Sequence, residues 1–145
     1  MNALTPTSGV LQGRLHVLPV RVYYEDTDFS GVVYHASYLR FMERGRTEML
    51  RARGLSQGEI MAGHAGEVFG FAVRSMTIEF LKPARMDDLL TIETSPRAIG
   101  GATLELDQRV LRGEEVLITA SVRVACVANG RPARIPKGVR EALGG

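Results

Sequence analysis

The stretch Asp26-Thr27-Asp28-Phe29-Ser30-Gly31-Val32-Val33-Tyr34-His35 gathers two carboxylates, a small polar turn and a histidine ahead of what reads as a helix. Aspartate is a poor strand former and like charges repel, so two acids this close at a strand end call for a reason. Two readings stand. In one, both acids are solvated, and Asp28 bonds the turn through Ser30 and Gly31 in an Asx-type arrangement. In the other, position is what counts: a helix start offers unpaired N–H groups and a dipole that favour developing negative charge. A carboxylate just upstream would face a carbonyl held on those amides. That suits acyl transfer, with aspartate as nucleophile or general base and backbone amides as the oxyanion hole.

The elements that must position this stretch follow from hydrophobic period. In HVLPVRVYY, residues 16–24, Leu18, Val20, Val22 and Tyr24 share one face of a first strand. Pro19 there, lacking a donor, predicts an edge or a bulge. Residues 37–53 read as a helix: Tyr38, Met42, Gly45, Met49 and Ala52 form a buried stripe, with Leu39 and Leu50 beside them. Gly54 is placed to end it. Gly45 in mid-helix costs roughly 1 kcal/mol against alanine, which marks a place where a sheet presses on the helix. A short second helix is expected over residues 56–61, with Ser56 and Glu59 as a capping box. Four strand-like runs follow, at 68–81, 89–99, 102–112 and 115–128. In the third, Ala102, Leu104, Leu106, Gln108 and Val110 share a face. In the last, Val116, Ile118, Ala120, Val122, Val124 and Cys126 do, and Asn129-Gly130 ends the run. Short breaks make the runs antiparallel neighbours. The result is an α+β layer, a five-stranded antiparallel sheet around one long helix. Residues 1–13 read as a flexible tail, 14–137 as one domain, and 138–145 as a C-terminal tail that adds a helical turn.

Composition narrows the class. A chain of 145 residues, 45% apolar and 23% charged, suits one soluble domain with a single core. The formal charge of +2 comes without a basic cluster interleaved with aromatics, so no nucleic-acid partner is expected. Cys126, the one cysteine, sits in an alternating strand and reads as a buried, inert thiol. With three scattered histidines it gives no zinc spacing, so no metal is expected. The N-terminal residues lack the basic and apolar regions of a signal peptide and no run is long enough to span a membrane, which predicts a cytoplasmic protein. No P-loop or G-x-G-x-x-G is present.

The run Tyr24-Glu25-Asp26-Thr27-Asp28-x-x-Gly31-Val32-Val33-Tyr34-His35-x-x-Tyr38, followed by Glu43-Arg44 and Arg46-Thr47-Glu48, resembles the hotdog-fold acyl-CoA thioesterases. The branch it looks like is the Tol–Pal-associated, YbgC-type group of the 4-hydroxybenzoyl-CoA thioesterase family. Val73-Arg74-x-Met76-Thr77-Ile78-Glu79 and Pro83-Ala84-Arg85-x-Asp87-Asp88 extend the resemblance across residues 17–137. It implies a hotdog fold and hydrolysis of an acyl-CoA to free acid and CoA. No cofactor is implied, since CoA is part of the substrate. The resemblance puts the catalytic carboxylate, nucleophile or general base, at Asp28 and the carbonyl-polarising amide at the backbone N–H of His35. It also implies a homodimer or homotetramer with sites at subunit interfaces. The alternative is a non-catalytic hotdog protein that binds acyl groups or acyl carrier protein, against which an intact Asp28 argues. Acyl carrier protein also stands as a possible carrier in place of CoA.

Around this pair, Gly31, Val33 and Tyr34 are candidate substrate contacts, with core packing the other reading of Tyr34. Lys82 and Arg85, with Arg131 and Arg134 further on, are candidates for the CoA phosphates. Asp26 reads as a structural acid and Tyr38 as core. Glu43 is expected to pair with Arg46 or Arg40 on its own helix. His64 reads as a loop residue.

Overall fold

The computed structural model describes residues 4–55 and 69–144. Alternating apolar residues build its sheet: β1 (Val10–Gln12), β2 (Leu15–Arg21), β3 (Gly70–Phe80), β4 (Leu89–Ile99), β5 (Thr103–Arg112), β6 (Glu115–Ala128) and β7 (Arg131–Pro132). A 3-10 turn (Tyr24–Asp26) and the long helix α1 (His35–Ala52) lie between β2 and β3, and α2 (Lys137–Ala142) closes the chain. The strand order is β1-β2-β4-β5-β6-β3, every pairing antiparallel, with β7 paired to β6. The inward faces of β4, β5 and β6 bury Leu90, Ile92, Leu104, Leu106, Val110, Ile118, Val122 and Val124 with Tyr38, Phe41, Met42 and Met49 of α1 in one core.

This is the expected α+β layer, with seven strands among the described residues where five were expected. Both additions are short. β1 lies in the segment read as a tail: Val10–Gln12 pairs with β2 through Val10↔Val17 and Gln12↔Leu15. It is reached through Gly9 and Gly13, whose φ values of 72° and 64° favour glycine. β7 forms because Asn129 and Gly130 both take positive φ, 53° and 76°, the signature of a tight hairpin turn, so the chain folds back along β6. The C-terminal tail is likewise packed: Val139 and Leu143 are buried. Pro19 sits where expected, on the part of β2 beyond the end of β1, with β4 as its partner through Thr91. The residues expected to form a second helix, and His64, lie outside the described residues. No helix among the described residues is long and apolar enough to cross a membrane.

Two packing details differ from the periodic reading. On α1, Phe41 is buried while Leu39 and Ala52 are exposed, so the stripe is set two residues away from Leu39. On β6, a register shift opposite Val110 and Leu111 changes the phase, and Leu117 is buried beside Ile118 while Val116 is only half-buried.

Gly45 is the closest approach of helix to sheet. A Cβ there would stand 2.8 Å from Ile92 Cγ2, 2.9 Å from Thr94 Oγ1 and 3.2 Å from Gln108 Nε2. Around it Gln108 donates to the Met42 carbonyl and to Thr94 Oγ1, both at 2.9 Å, and accepts from Arg46 at 3.0 Å. Gly45→Ala gains helix propensity but must push a β-branched side chain aside. We expect a net loss of about 1–2 kcal/mol, the overpacking term exceeding the propensity gain. Urea unfolding checks this; a variant more stable than wild type would show that the contact has slack.

Candidate active site

The chain leaves β2 through Val22, whose amide and carbonyl bond Asp88 and Asp87 at 2.9 Å, and enters the loop that carries both acids. Asp26 is buried. Its Oδ2 accepts from the Tyr23 amide at 2.8 Å, its Oδ1 lies 3.8 Å from Arg40, and its carbonyl accepts from the Tyr34 amide at 2.9 Å. It fastens the loop to itself and to α1, as a structural acid.

Asp28 is exposed. Its Oδ1 accepts from the Ser30 amide at 2.8 Å and from Ser30 Oγ at 2.6 Å, while Gly31, at φ 85°, closes the turn onto the Asp28 carbonyl at 3.0 Å. The Asx-type geometry and the exposed carboxylate therefore coexist. The Ser30 hydroxyl and amide, with smaller help from the Val32 amide and His35, hold the Asp28 carboxyl below the usual carboxylate range. At neutral pH it is an anion.

Seven residues on, α1 begins at His35 with Tyr34 as an N-cap that makes no side-chain capping bond. Among the described residues no acceptor takes the His35 amide, so it is one of the orphan donors of a helix start. The His35 ring packs on Phe80 with centroids 4.5 Å apart. His35, Tyr38, Val32, Val33, Phe80 and Lys82 line a cavity of about 190 Å³. The structure thus brings Val33, His35 and Lys82 together. Gly31 and Tyr34 are exposed outside that lining, and Arg85 reaches the loop through its backbone, paired with Val32.

One residue clamps loop, helix and strand connection together through its backbone. The Ala84 amide donates to Tyr38 Oη and its carbonyl accepts from the Val33 amide, each at 2.8 Å. Tyr38 is therefore core packing with a polar duty, and burial pushes its hydroxyl pKa up. The segment around Ala84 is held from outside by an ionic chain. Lys82 meets Glu115 at 2.7 Å, Glu115 meets Arg112 at 2.6 Å, and Arg112 meets Asp88 at 2.8 Å. Lys82 and Arg112 hold Glu115 below its ordinary carboxylate value. At Asp88 burial opposes, but the Arg85 amide and Arg112 prevail and lower it too.

Glu43 does not form the expected ion pair. Arg46 bonds Gln108 across 62 positions of sequence, and Arg40 bonds Ser37 at 2.8 Å. Glu43 instead borders a larger cavity of about 450 Å³ with Arg46, Thr47, Leu50, Phe71 and Leu104. Neither Asp28 nor His35 borders that cavity, and Glu43 lies about 12 Å along α1 from His35. Arg131 and Arg134 are not brought near Asp28 within the chain. β7 pairs at Val127 while Phe80 pairs at Ile118, about 30 Å apart along β6. Sequence reasoning missed Phe80, Ala84 and Arg112. Ser30 alone carried a local signal, a hydroxyl two residues after an aspartate.

A long helix wrapped by an antiparallel sheet is the hotdog fold, here with an acidic loop at the helix start. Residues 30–119 match the family model of the thioesterase superfamily, and the chain belongs to that superfamily. It is similar to the acyl-CoA thioester hydrolase YbgC of Escherichia coli O157:H7, at 48% identity over 124 residues, 83% of this chain and 90% of that protein. The acyl-CoA thioesterase YbgC of Haemophilus influenzae is 44% identical over 127 residues, 86% of this chain and 91% of that protein. The crystal structure of a probable thioesterase from Bartonella henselae superposes with a TM-score of 0.82 at 47% identity, covering 84% of this chain and 99% of that one. The expected hotdog fold and YbgC-type enzyme class are borne out, over the non-catalytic alternative.

Tyr38→Phe keeps the ring and removes the oxygen that receives the Ala84 amide. Leaving that buried donor unpaired is expected to cost about 1–3 kcal/mol in urea unfolding. Unchanged stability would mean that the Ala84 amide finds another acceptor and the clamp is dispensable.

Proposed function

We propose that the protein hydrolyses acyl-CoA thioesters to the free acid and CoA, with Asp28 as the reacting carboxylate and the His35 amide as the oxyanion donor. The observation that carries this is the pairing of an exposed, anionic carboxylate with an unpaired amide at a helix N-terminus. The names of the 48% and 44% identical relatives support CoA over acyl carrier protein as the carrier.

The chemistry needs no metal or cofactor. The thioester carbonyl oxygen takes the His35 N–H, which stabilises the negative charge that grows there as the carbon becomes tetrahedral. As general base, Asp28 takes a proton from the attacking water, the C–S bond breaks, and the proton passes to the CoA sulfur. As nucleophile, Asp28 forms the C–O bond itself while CoA leaves. Water then opens the mixed anhydride and restores the carboxylate. Both routes require the anion that Ser30 stabilises. Val33 and Gly31 shape the approach to the carbonyl, Tyr34 flanks the acyl group, and Lys82 and Arg85 supply positive charge for the CoA phosphates.

The working unit in this reading is a cytoplasmic homodimer. β3 is an eleven-residue edge strand with β6 as its sole partner among the described residues, and it exposes Val73 and Phe80. A long unprotected edge of this kind is a template for a second strand, and an identical β3 meets it antiparallel about a two-fold axis.

Thiol release from short, long and aromatic acyl-CoAs tests the chemistry: Asp28→Asn is expected to lose about 10²–10⁴-fold in kcat with the fold intact. Full turnover by that variant would remove Asp28 from its role. Sedimentation of the wild type at micromolar concentration tests the assembly; a dimer mass is expected, weakened in Val73→Asp, and a monomer would end the edge-pairing reading.

A further inference from the structure

An Asx-type turn needs one donor, the backbone amide two residues after the acid. Here that amide is present at 2.8 Å, and the Ser30 hydroxyl adds a second, shorter bond of 2.6 Å to the same oxygen. The hydroxyl is therefore surplus to the turn, and any residue with an N–H would close it. Its effect falls on the carboxylate instead. The terminal torsion of aspartate is broad and roughly two-fold, so a single bond leaves the group free to swing or exchange its oxygens. Two donors from one residue on Oδ1 fix the carboxylate plane, and Oδ2 carries neither of them.

We propose that Ser30 is a positioning residue for the thioesterase reaction: its hydroxyl locks Asp28 Oδ1 so that Oδ2 is the oxygen presented to the substrate. The inference rests on Asp28 being the reacting carboxylate. It goes further by assigning the two oxygens different tasks and by giving the turn residue a part in the rate. The other groups that face Asp28 do not supply this hold. The His35 side chain acts on it through charge, the Val32 amide is backbone, and Arg85 meets the loop through its own backbone at Val32. Lys82, on the neighbouring cavity wall, is held by Glu115. The hydroxyl also favours the anionic form of Asp28, as the first of the causes that lower its pKa.

The test compares wild type, Ser30→Ala and Ser30→Thr by two readouts on the full chain. The first is the titration of the Asp28 carboxyl carbon by NMR, which needs no turnover. Its midpoint is expected to move to higher pH in Ser30→Ala and to return in Ser30→Thr, because only the latter keeps the donor. The second is thiol release against pH. The acid limb of kcat/KM should move upward in the same direction, and kcat on the plateau should fall about two- to tenfold with KM unchanged, the net worth of one ordinary hydrogen bond. An unmoved carboxyl titration would overturn the proposal, as would a plateau kcat equal to that of wild type. Loss of all turnover in Ser30→Ala at every pH, with the NMR spectrum still folded, would overturn it as well, by making the hydroxyl itself the reacting group. If the titration moves but Asp28→Asn turns over normally, the reading of Asp28 has failed, and Ser30 then grips an idle carboxylate.

Discussion

A helix can approach a sheet only as far as the side chains between them allow, and at Gly45 there is none. Helix α1 therefore settles low enough for Gln108, a buried glutamine on the core face of β5, to reach the Met42 carbonyl at 2.9 Å and to take Arg46 at 3.0 Å. That contact sets the height of the whole helix. Two turns and more toward its start, the same height brings Tyr38 to Ala84 and the His35 ring onto Phe80. A larger residue at Gly45 would lift the helix, and its first amide would rise away from the Asp28 loop with it.

The Asp28 loop itself is held mostly by backbone. Val22, Thr27, Val32, Val33 and Tyr34 are all tied through main-chain bonds or bridges, to Asp87 and Asp88, to one another, to Arg85, to Ala84 and to Asp26. Asp26, Thr27, Asp28 and Ser30 contribute side chains to its internal order. This leaves the side chains of Phe29 and Tyr34 exposed, so the turn can vary its outer surface without loosening the carboxylate. The ionic chain from Lys82 to Asp88 does the complementary job on the outside, holding the segment that Ala84 belongs to. Its carboxylates, Asp88 and Glu115, are only partly buried, so its worth lies in geometry over raw stability.

How much of this could be read from the sequence depends on range. Strands β4 and β6 follow from alternation to the residue, and Gly45 announces the close contact because glycine has no other reason to sit in mid-helix. The Asp28 turn is legible because an Asx arrangement is local. The resemblance to a thioesterase signature rested on that same local run. Ala84 was invisible, since its contribution is an N–H and a C=O that every non-proline residue has. The Glu43 ion pair failed for the opposite reason. Helical spacing offered two arginines, but Arg46 had a partner 62 residues away and Arg40 had closer ones in Ser37 and Asp26. β1 and β7 are too short for alternation to register, and glycine conformations decided them.

The two edges of the sheet are chemically unlike. On one side, β1 covers only the first half of β2, and the stretch left bare contains Pro19, which has no N–H to offer. On the other side, β3 runs eleven residues with its outer edge unpaired among the described residues. A sheet extensible at both edges can add copies without limit and grow into a fibre. One that is sealed at one edge and open at the other reaches satisfaction after a single addition, because the newcomer's open edge is used up in the joining. By withholding one N–H, the proline in β2 makes this side of the sheet a poorer template for a further strand than β3 is.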